Sequence, residues 1–312
     1  MYESLLELDP IRINFSESGS FILNIVLAFI MFGIALGMRA EQFKSLMRAP
    51  KPVVAGACLQ FIVLPFVTFL LVIALSEVIT PTVAMGMILV AACPGGNISN
   101  FMTSLSKGNT ELSVTLSAIS TGFAIFMTPF NFSLWGGLYA RIINNRAESM
   151  LQPLEIEYMQ MFQTVIIILG IPIVAGILFA KRLPTASLRL KKVLQYVSII
   201  FFITLVIIMF ANNWQLFVRY IKYIFIIVLV HNSVLLLTGY GISALLREPD
   251  KNRRTLTIET GIQNSGLGLV LLLNPAIFPS EMAIGGMLFV TAWWGIWHII
   301  SGLSLSFYWA RK

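Results

Sequence analysis

The chain has 312 residues, of which 57% are hydrophobic and 11% are charged, and its mean hydropathy is +0.86. This composition excludes a soluble globular protein and indicates a polytopic membrane protein. The net charge of +7 is spread over loops instead of forming a basic domain, so nucleic-acid binding is excluded. The two cysteines, Cys58 and Cys93, lie inside apolar runs, which argues against a disulfide framework.

Residues 1–19 contain four acidic residues and a single arginine, the opposite of a signal peptide's basic start. We therefore expect no cleaved signal peptide, and the orientation predicted below makes this segment external. About 20 apolar residues cross the hydrocarbon layer of a bilayer, and nine such spans can be marked. They fall at 20–38, 52–75, 82–106, 111–139, 159–180, 194–212, 223–246, 255–278 and 283–310.

The basic residues predict the orientation of these spans, because Lys and Arg concentrate in cytoplasmic loops. With the N-terminus outside and the C-terminus in the cytoplasm, 16 of the 21 basic residues lie on the inner side. We therefore predict a multi-pass protein of the plasma (inner) membrane in this orientation.

The third and eighth spans carry helix breakers together with polar residues. In the third, Pro94–Gly96 precede a run rich in Asn, Ser and Thr; in the eighth, Gly261 and Gly266 enclose Gln263 and Asn264. Proline removes a helical donor and glycine weakens a helix, so both spans are predicted to unwind. Non-helical backbone at that depth must be buried in protein or line a cavity.

These two spans occupy corresponding places in two halves of the chain. Residues 159–312 form a five-span unit whose fourth member is interrupted, and residues 20–139 fit the same unit without its first helix. The two halves have opposite orientations, which is typical of inverted-repeat transporters. We predict an all-α fold with two crossed discontinuous helices. Their second halves, beginning near Asn97 and Asn264, would point positive helix ends at a bound anion.

Glu259 lies deep within the eighth span, where a carboxylate costs roughly 2.5 to 3.5 kcal/mol on insertion scales. No span carries a Lys or Arg at matching depth, so a cation is the expected partner. The surrounding side chains supply oxygens, which suit a hard ion such as Na⁺. Ser113 and Ser117 add two hydroxyls on one helical face. His231 and His298 lie in separate spans, which argues against a transition-metal site.

Six sequence strings together resemble the bile acid:sodium symporter family, and they cover essentially the whole membrane-embedded part. The strings are IMFGIALGM (30–38), LQFIVLP (59–65), CPGGNISNFMTSLSKGNTELSV (93–114), VLVHNS (228–233), LTIETGIQNSGL (256–267) and WHIISG (297–302). The chain looks like a bacterial member. The resemblance implies a panel domain and a core domain, with two discontinuous helices crossing behind a cavity.

The resemblance also implies two sodium sites and an anion site. One sodium site is similar to the set Ser99, Asn100, Ser113, Ser117 and Glu259. The other looks like the set Gln60, Glu259, Gln263 and the backbone carbonyls of Thr260 and Ile262. Substrate contacts by resemblance are Asn97, Asn264 and His298.

We therefore expect a monomeric, sodium-coupled symporter of a bile-acid-like or other amphipathic carboxylate, and not an enzyme. A carboxylate, two sodium ions and an organic anion sum to zero charge, whereas the anion alone beside Glu259 would leave two unopposed negative charges. A cation/proton exchanger of related architecture is the alternative, although it would favour a titrating acid pair over one Glu beside neutral amides. An intramembrane hydrolase is disfavoured because no Asp lies in a span.

Overall fold

The computed structural model describes residues 1–11, 17–37, 50–96, 98–144, 163, 166–212, 214–275, 277–279 and 282–312. The described part is helical apart from turns, short connections and an isolated β-bridge. Its helices are α1 (Tyr2–Leu6), α2 (Glu17–Ala35), α3 (Pro50–Cys58), α4 (Leu64–Ala74), α5 (Pro81–Ala92), α6 (Ile98–Leu105), α7 (Thr110–Asn144), α8 (Ile171–Arg182), α9 (Pro184–Asn212), α10 (Trp214–Leu245), α11 (Asp250–Gly261), α12 (Ser265–Leu272) and α13 (Gly285–Ala310). A π-helical turn, Leu59–Val63, joins α3 to α4, and another, Ile166–Gly170, precedes α8.

Helices overlap all nine predicted spans, although most of the start of the fifth lies outside the described residues. In the described part, four helices are long and apolar enough to cross a membrane: Pro50–Ala74, Thr110–Ile143, Val218–Leu245 and Gly285–Ala310. The prediction of an all-helical, multi-pass membrane protein is thus confirmed, while the number of nine crossings stays a prediction. Several helices run past the predicted bounds, because hydropathy marks only the apolar part of a helix and not its polar ends.

The helices α2, α8 and α9 pack together, and we call them the outer group. Leu194 of α9 covers Gly33 of α2 so closely that a Cβ there would lie 2.8 Å from it. The rings of Phe32 and Phe179 meet edge to face at 5.8 Å between centroids. The exposed side of α9 is largely apolar, as expected for a helix that faces lipid.

The remaining helices apart from α1, namely α3–α7 and α10–α13, form the inner group, whose centre is α5. Every residue of α5 is buried, and its neighbour α13 approaches it at Gly86. A Cβ at Gly86 would lie 2.7 Å from the Cα of Met287, so the two backbones meet where the sequence has no side chain. This packing holds α5 at a fixed height beside α13.

The two predicted interruptions lie between α5 and α6 and between α11 and α12, and they face each other. Gly95 and Gln263 form an antiparallel bridge, and the amide of Asn264 donates to the carbonyl of Pro94 at 2.8 Å. These bonds pair backbone groups of the two unwound segments inside the protein, where water does not reach them. Each interruption is a short extended segment paired with the other, and not a bend in a continuous helix.

Candidate functional site

Glu259 lies in the last turn of α11, beside the paired segments, and only 6% of its surface is exposed. Its Oε1 accepts hydrogen bonds from the Oγ of Ser99, at 2.5 Å, and from the Oγ of Ser113. The Oγ of Ser117 donates to its Oε2 at 3.4 Å. The ion pairs of the described residues all lie elsewhere, so hydroxyl groups surround this buried carboxylate.

Asn100 completes the first predicted set. Its Oδ1 accepts from the Oγ of Ser113 at 2.8 Å and from the Oγ of Ser117 at 3.4 Å. The arrangement follows from local structure, because α6 begins directly after the interruption and places Ser99 and Asn100 in its first turn. Ser113 and Ser117 stand one turn apart on α7. The structure therefore brings all five residues of this set together.

Gln60 and Gln263, from the second predicted set, contact each other directly. The Nε2 of Gln60 donates to the Oε1 of Gln263 and to the backbone carbonyl of Cys93, both at 2.8 Å. The Nε2 of Gln263 donates to the carbonyl of Thr260 at 2.8 Å. These amides thus satisfy one another across the junction of three chain segments.

The carbonyl of Ile262, the last member of the second set, accepts from the amide of Gly96 at 2.8 Å. A carbonyl has two lone pairs, so this bond leaves one available. Gly95 lies between the two sets: a Cβ there would be 3.2 Å from Oε2 of Glu259 and 3.7 Å from Oε1 of Gln60. The sequence identified Gly95 only as a helix breaker, but its missing side chain also lets the backbone approach both groups.

A cavity between α3, α7 and α11 opens beside the carboxylate. Its lining includes Gly56, Gln60, Leu116, Glu259 and Thr260. It therefore reaches both the acid and an amide of the second set. In the part of the chain that is described, no cluster of three or more His, Cys, Asp or Glu side chains could hold a metal ion, and oxygen from hydroxyl, amide and carboxylate groups dominates the site.

The structure describes two of the three predicted substrate contacts, Asn264 and His298. Asn97 lies outside the described residues. Asn264 is the N-cap of α12, and its Oδ1 accepts from the amide of Leu267 at 3.0 Å. His298 is buried on α13, and its Nδ1 has no hydrogen-bond partner in the described part. His298 lies outside the two hydrogen-bonded sets.

Asn232 supports the second interruption and was not predicted from the sequence as a site residue. It is buried on α10, and its Nδ2 donates to the carbonyl of Gly261 at 2.8 Å. The neighbouring His231 is also buried, and its Nε2 lies 2.9 Å from the Oγ1 of Thr68. The signal for Asn232 was its polarity within the apolar run 226–237, which does not by itself reveal the partner.

Comparison with known proteins finds several similar chains. The chain is similar to an uncharacterized sodium-dependent transporter, YocS, of Bacillus subtilis, with 32% identity over 290 residues, or 93% of this chain and 83% of that one. It is also similar to the probable sodium/metabolite cotransporter BASS2, chloroplastic, of rice (28% over 304 residues; 91% and 66% of the two chains). The human sodium-dependent organic anion transporter matches at 25% over 281 residues (89% and 70%).

A family model agrees with these similarities and spans most of the chain. The model described as the Sodium Bile acid symporter family matches residues 24–220. This chain therefore belongs to the sodium bile acid symporter family.

Proposed function

We propose that this protein is a secondary-active transporter that carries an organic anion together with sodium, two ions for each anion, by alternating access. The observation that carries the proposal is the environment of Glu259. It is a buried carboxylate with hydroxyl neighbours and no ion-pair partner in the described part of the chain. A buried charge is stable only when it is paired, and a sodium ion supplies that pairing.

The oxygen atoms of the first set support a cation. The Oγ of Ser113 lies within hydrogen-bonding distance of both Asn100 Oδ1 and Glu259 Oε1, but a hydroxyl has one proton to donate. Ser117 is likewise near acceptors of both residues. The cluster has more acceptor sites than protons, and a hard cation can bind several such oxygens at once.

The second set contributes amide and carbonyl oxygens on the other side of Glu259. A Cβ at Gly95 would lie 3.2 Å from Oε2 of Glu259 and 3.7 Å from Oε1 of Gln60. The carboxylate is therefore near the second set, and a second ion would share it with the first. Both ions then bind at the paired interruptions, and a change in the position of either broken helix changes both sites. This sharing links ion binding to the conformation of the inner group.

Charge balance accounts for coupling to an anion. Two sodium ions and Glu259 leave one positive charge, which an organic anion neutralises; without sodium the anion would meet the carboxylate instead. The N-terminus of α12, capped by Asn264, adds a positive helix end. We assign Asn97, Asn264 and His298 to the anion site and propose an amphipathic carboxylate as substrate, in agreement with the organic anion in the human relative's name.

The two helix groups supply the moving parts of this proposal. The outer group acts as the panel, and the inner group, which holds both sodium sets, acts as the core that moves against it. The halves 20–139 and 159–312 would be the inverted repeats that make two symmetric states possible. We further propose a monomer in the inner membrane, with its N-terminus outside. One net positive charge would then enter with each anion, so uptake would gain about 2.3 kcal/mol per 100 mV of potential.

Uptake by purified protein in proteoliposomes tests the proposal. With an inward sodium gradient and an interior-negative potential, a labelled carboxylate substrate should accumulate, and collapsing either gradient should reduce the rate. A thermal-shift screen of candidate anions with and without sodium would identify that substrate, because a true ligand stabilises the protein by mass action. Uptake that follows a pH gradient equally well in the absence of sodium would instead support the cation/proton exchanger.

A further inference from the structure

The π-helical turn Leu59–Val63 interrupts the helix formed by α3 and α4. This turn contains Gln60, whose side chain reaches the candidate site. In this turn the amide of Leu64 bonds to the carbonyl of Leu59, five residues earlier. Turns of this kind are rare and often occur at functional sites. Buried residues follow Gln60 at steps of four, namely Leu64, Thr68 and Val72. This spacing exceeds the 3.6 residues of an α-helical turn, and the wider turn helps to keep these side chains on one face.

A proline next to this turn removes a hydrogen bond that an α-helix would make. Pro65 has no N–H, so it cannot donate to the carbonyl of Phe61 four residues earlier. The Nδ2 of Asn131, from α7, donates to that carbonyl at 3.0 Å. Asn131 is 2% exposed, and the Nε1 of Trp135 donates to its Oδ1 at 3.2 Å. The amide of Asn131 is thus held at both ends, with its donor directed at the π turn.

We propose that Asn131 is a positioning residue for sodium binding, acting through the π turn on Gln60. This inference rests on the proposed function, because it takes Gln60 as a member of the second sodium set. The carbonyl of Phe61 belongs to the residue directly after Gln60, so a hydrogen bond that fixes it also fixes the backbone from which Gln60 extends. Ligand groups must be held within about 0.5 Å of their working geometry.

The bond from Asn131 also connects two helices that serve different sets. The helix α7 carries Ser113 and Ser117 of the first set near its start, and the π turn carries Gln60 of the second. Since α7 contacts the π turn through Asn131, the relative position of the two sets depends on this side chain. A residue that only filled space at this position would not affect the direction of Gln60.

The first test replaces Asn131 by leucine, which has a similar shape and no donor. We expect the sodium concentration for half-maximal thermal stabilisation, and for half-maximal uptake, to rise about tenfold, the effect of one hydrogen bond of about 1.4 kcal/mol. The maximal uptake rate at saturating sodium should change much less. The control is Thr128→Val on the same helix, since Thr128 is fully buried and its Oγ1 has no partner in the described part. Thr128→Val should leave the sodium dependence unchanged.

A second substitution provides the rescue. Pro65→Ala restores an N–H four residues after Phe61, so the double variant Pro65→Ala/Asn131→Leu should bind sodium nearly as well as Pro65→Ala alone. This comparison also serves if Asn131→Leu alone does not fold. A tenfold difference between these two variants would overturn the inference. So would an Asn131→Leu protein that loses thermal stability but keeps the sodium half-saturation of the wild type.

The sodium response of the wild-type protein separates a failure of this inference from a failure of the proposed function. If wild type and Thr128→Val respond to sodium and Asn131→Leu responds identically, only the role of Asn131 is wrong. If the wild type shows no stabilisation by sodium and no sodium-driven uptake, the proposed function fails, and the positioning role fails with it.

Discussion

Replacing Glu259 by glutamine removes the charge on which the proposed ion binding depends and keeps the shape of the side chain. The amide oxygen can still accept from the hydroxyls of Ser99 and Ser113, which meet at Oε1 in the wild type. The substitution therefore removes electrostatic attraction while it preserves most of the local hydrogen bonds. The substitution should weaken sodium binding strongly, and it should change the stability of the sodium-free protein little or increase it.

The expected magnitude follows from Coulomb's law. Two unit charges 4 Å apart attract each other by about 4 kcal/mol at an effective dielectric constant of 20, which corresponds to about a thousandfold in a dissociation constant. The glutamine retains one oxygen ligand and carries no charge to desolvate, so we expect a loss of at least about a hundredfold. Sodium at 100 times its dissociation constant stabilises the wild type by about 2.7 kcal/mol, and a hundredfold loss of affinity should reduce this stabilisation to about 0.4 kcal/mol in the variant.

Thermal unfolding in detergent with increasing sodium, at constant ionic strength, measures both effects. Without sodium, Glu259→Gln should unfold at a higher temperature than the wild type, because a buried carboxylate without a cation is costly. Glu248→Gln is the matched control: Glu248 is also buried but lies near Lys51, with 3.6 Å between Oε1 and Nζ. That variant should lose stability and keep its sodium response. Equal sodium half-saturation in the wild type and Glu259→Gln would refute the role of the carboxylate.

Three further substitutions test other features. Gly95→Ala would place a methyl group 3.2 Å from Oε2 of Glu259. It should raise the sodium concentration for half-maximal thermal stabilisation about tenfold, while uptake at saturating sodium persists. Ser113→Ala removes the hydroxyl shared by both acceptors of the first set and should raise the sodium half-saturation for uptake by about tenfold. At Asp9, burial raises the pKa of the carboxyl above 3.8, although hydroxyl donors partly oppose it. A raised folded-state pKa gives stability at low pH that is lost as pH rises through that pKa, so Asp9→Asn should melt above the wild type at neutral pH, and the difference should shrink on acidification.

The interruptions could be predicted from the sequence because proline and glycine act on their own backbone. Pro94–Gly96 and Gly261 end their helices by local chemistry, and the structure breaks both helices at those places. The spacing of Ser113 and Ser117 also predicted two hydroxyls on one helical face near the first break, whereas their grouping with Glu259 was implied only by the family resemblance. Ser113 and Ser117 share a helical face, and Ser99 follows a break that must turn the chain back into a helix.

The contacts that complete the site depend on pairs far apart in the sequence. The close approach of Gly95 to Glu259 requires the two unwound segments to pair, and no property of either segment alone specifies the register of that pairing. Asn131 and Phe61 are 70 residues apart, and a buried asparagine in an apolar helix has many potential acceptors. The sequence shows that burying such a polar residue is costly, but helix packing determines which group it bonds to.

Asn264 shows how a local rule and a functional assignment can apply to the same atom. Its position before Ser265–Leu272 is that of an N-cap, for which asparagine is a preferred residue. The cap occupies Oδ1 through the amide of Leu267, so an anion would have to use Nδ2, which is a donor. The cap would therefore orient the carboxamide with its donor available to an anion. In this proposal, the residue that begins the half-helix also presents a hydrogen-bond donor beside that helix's positive end.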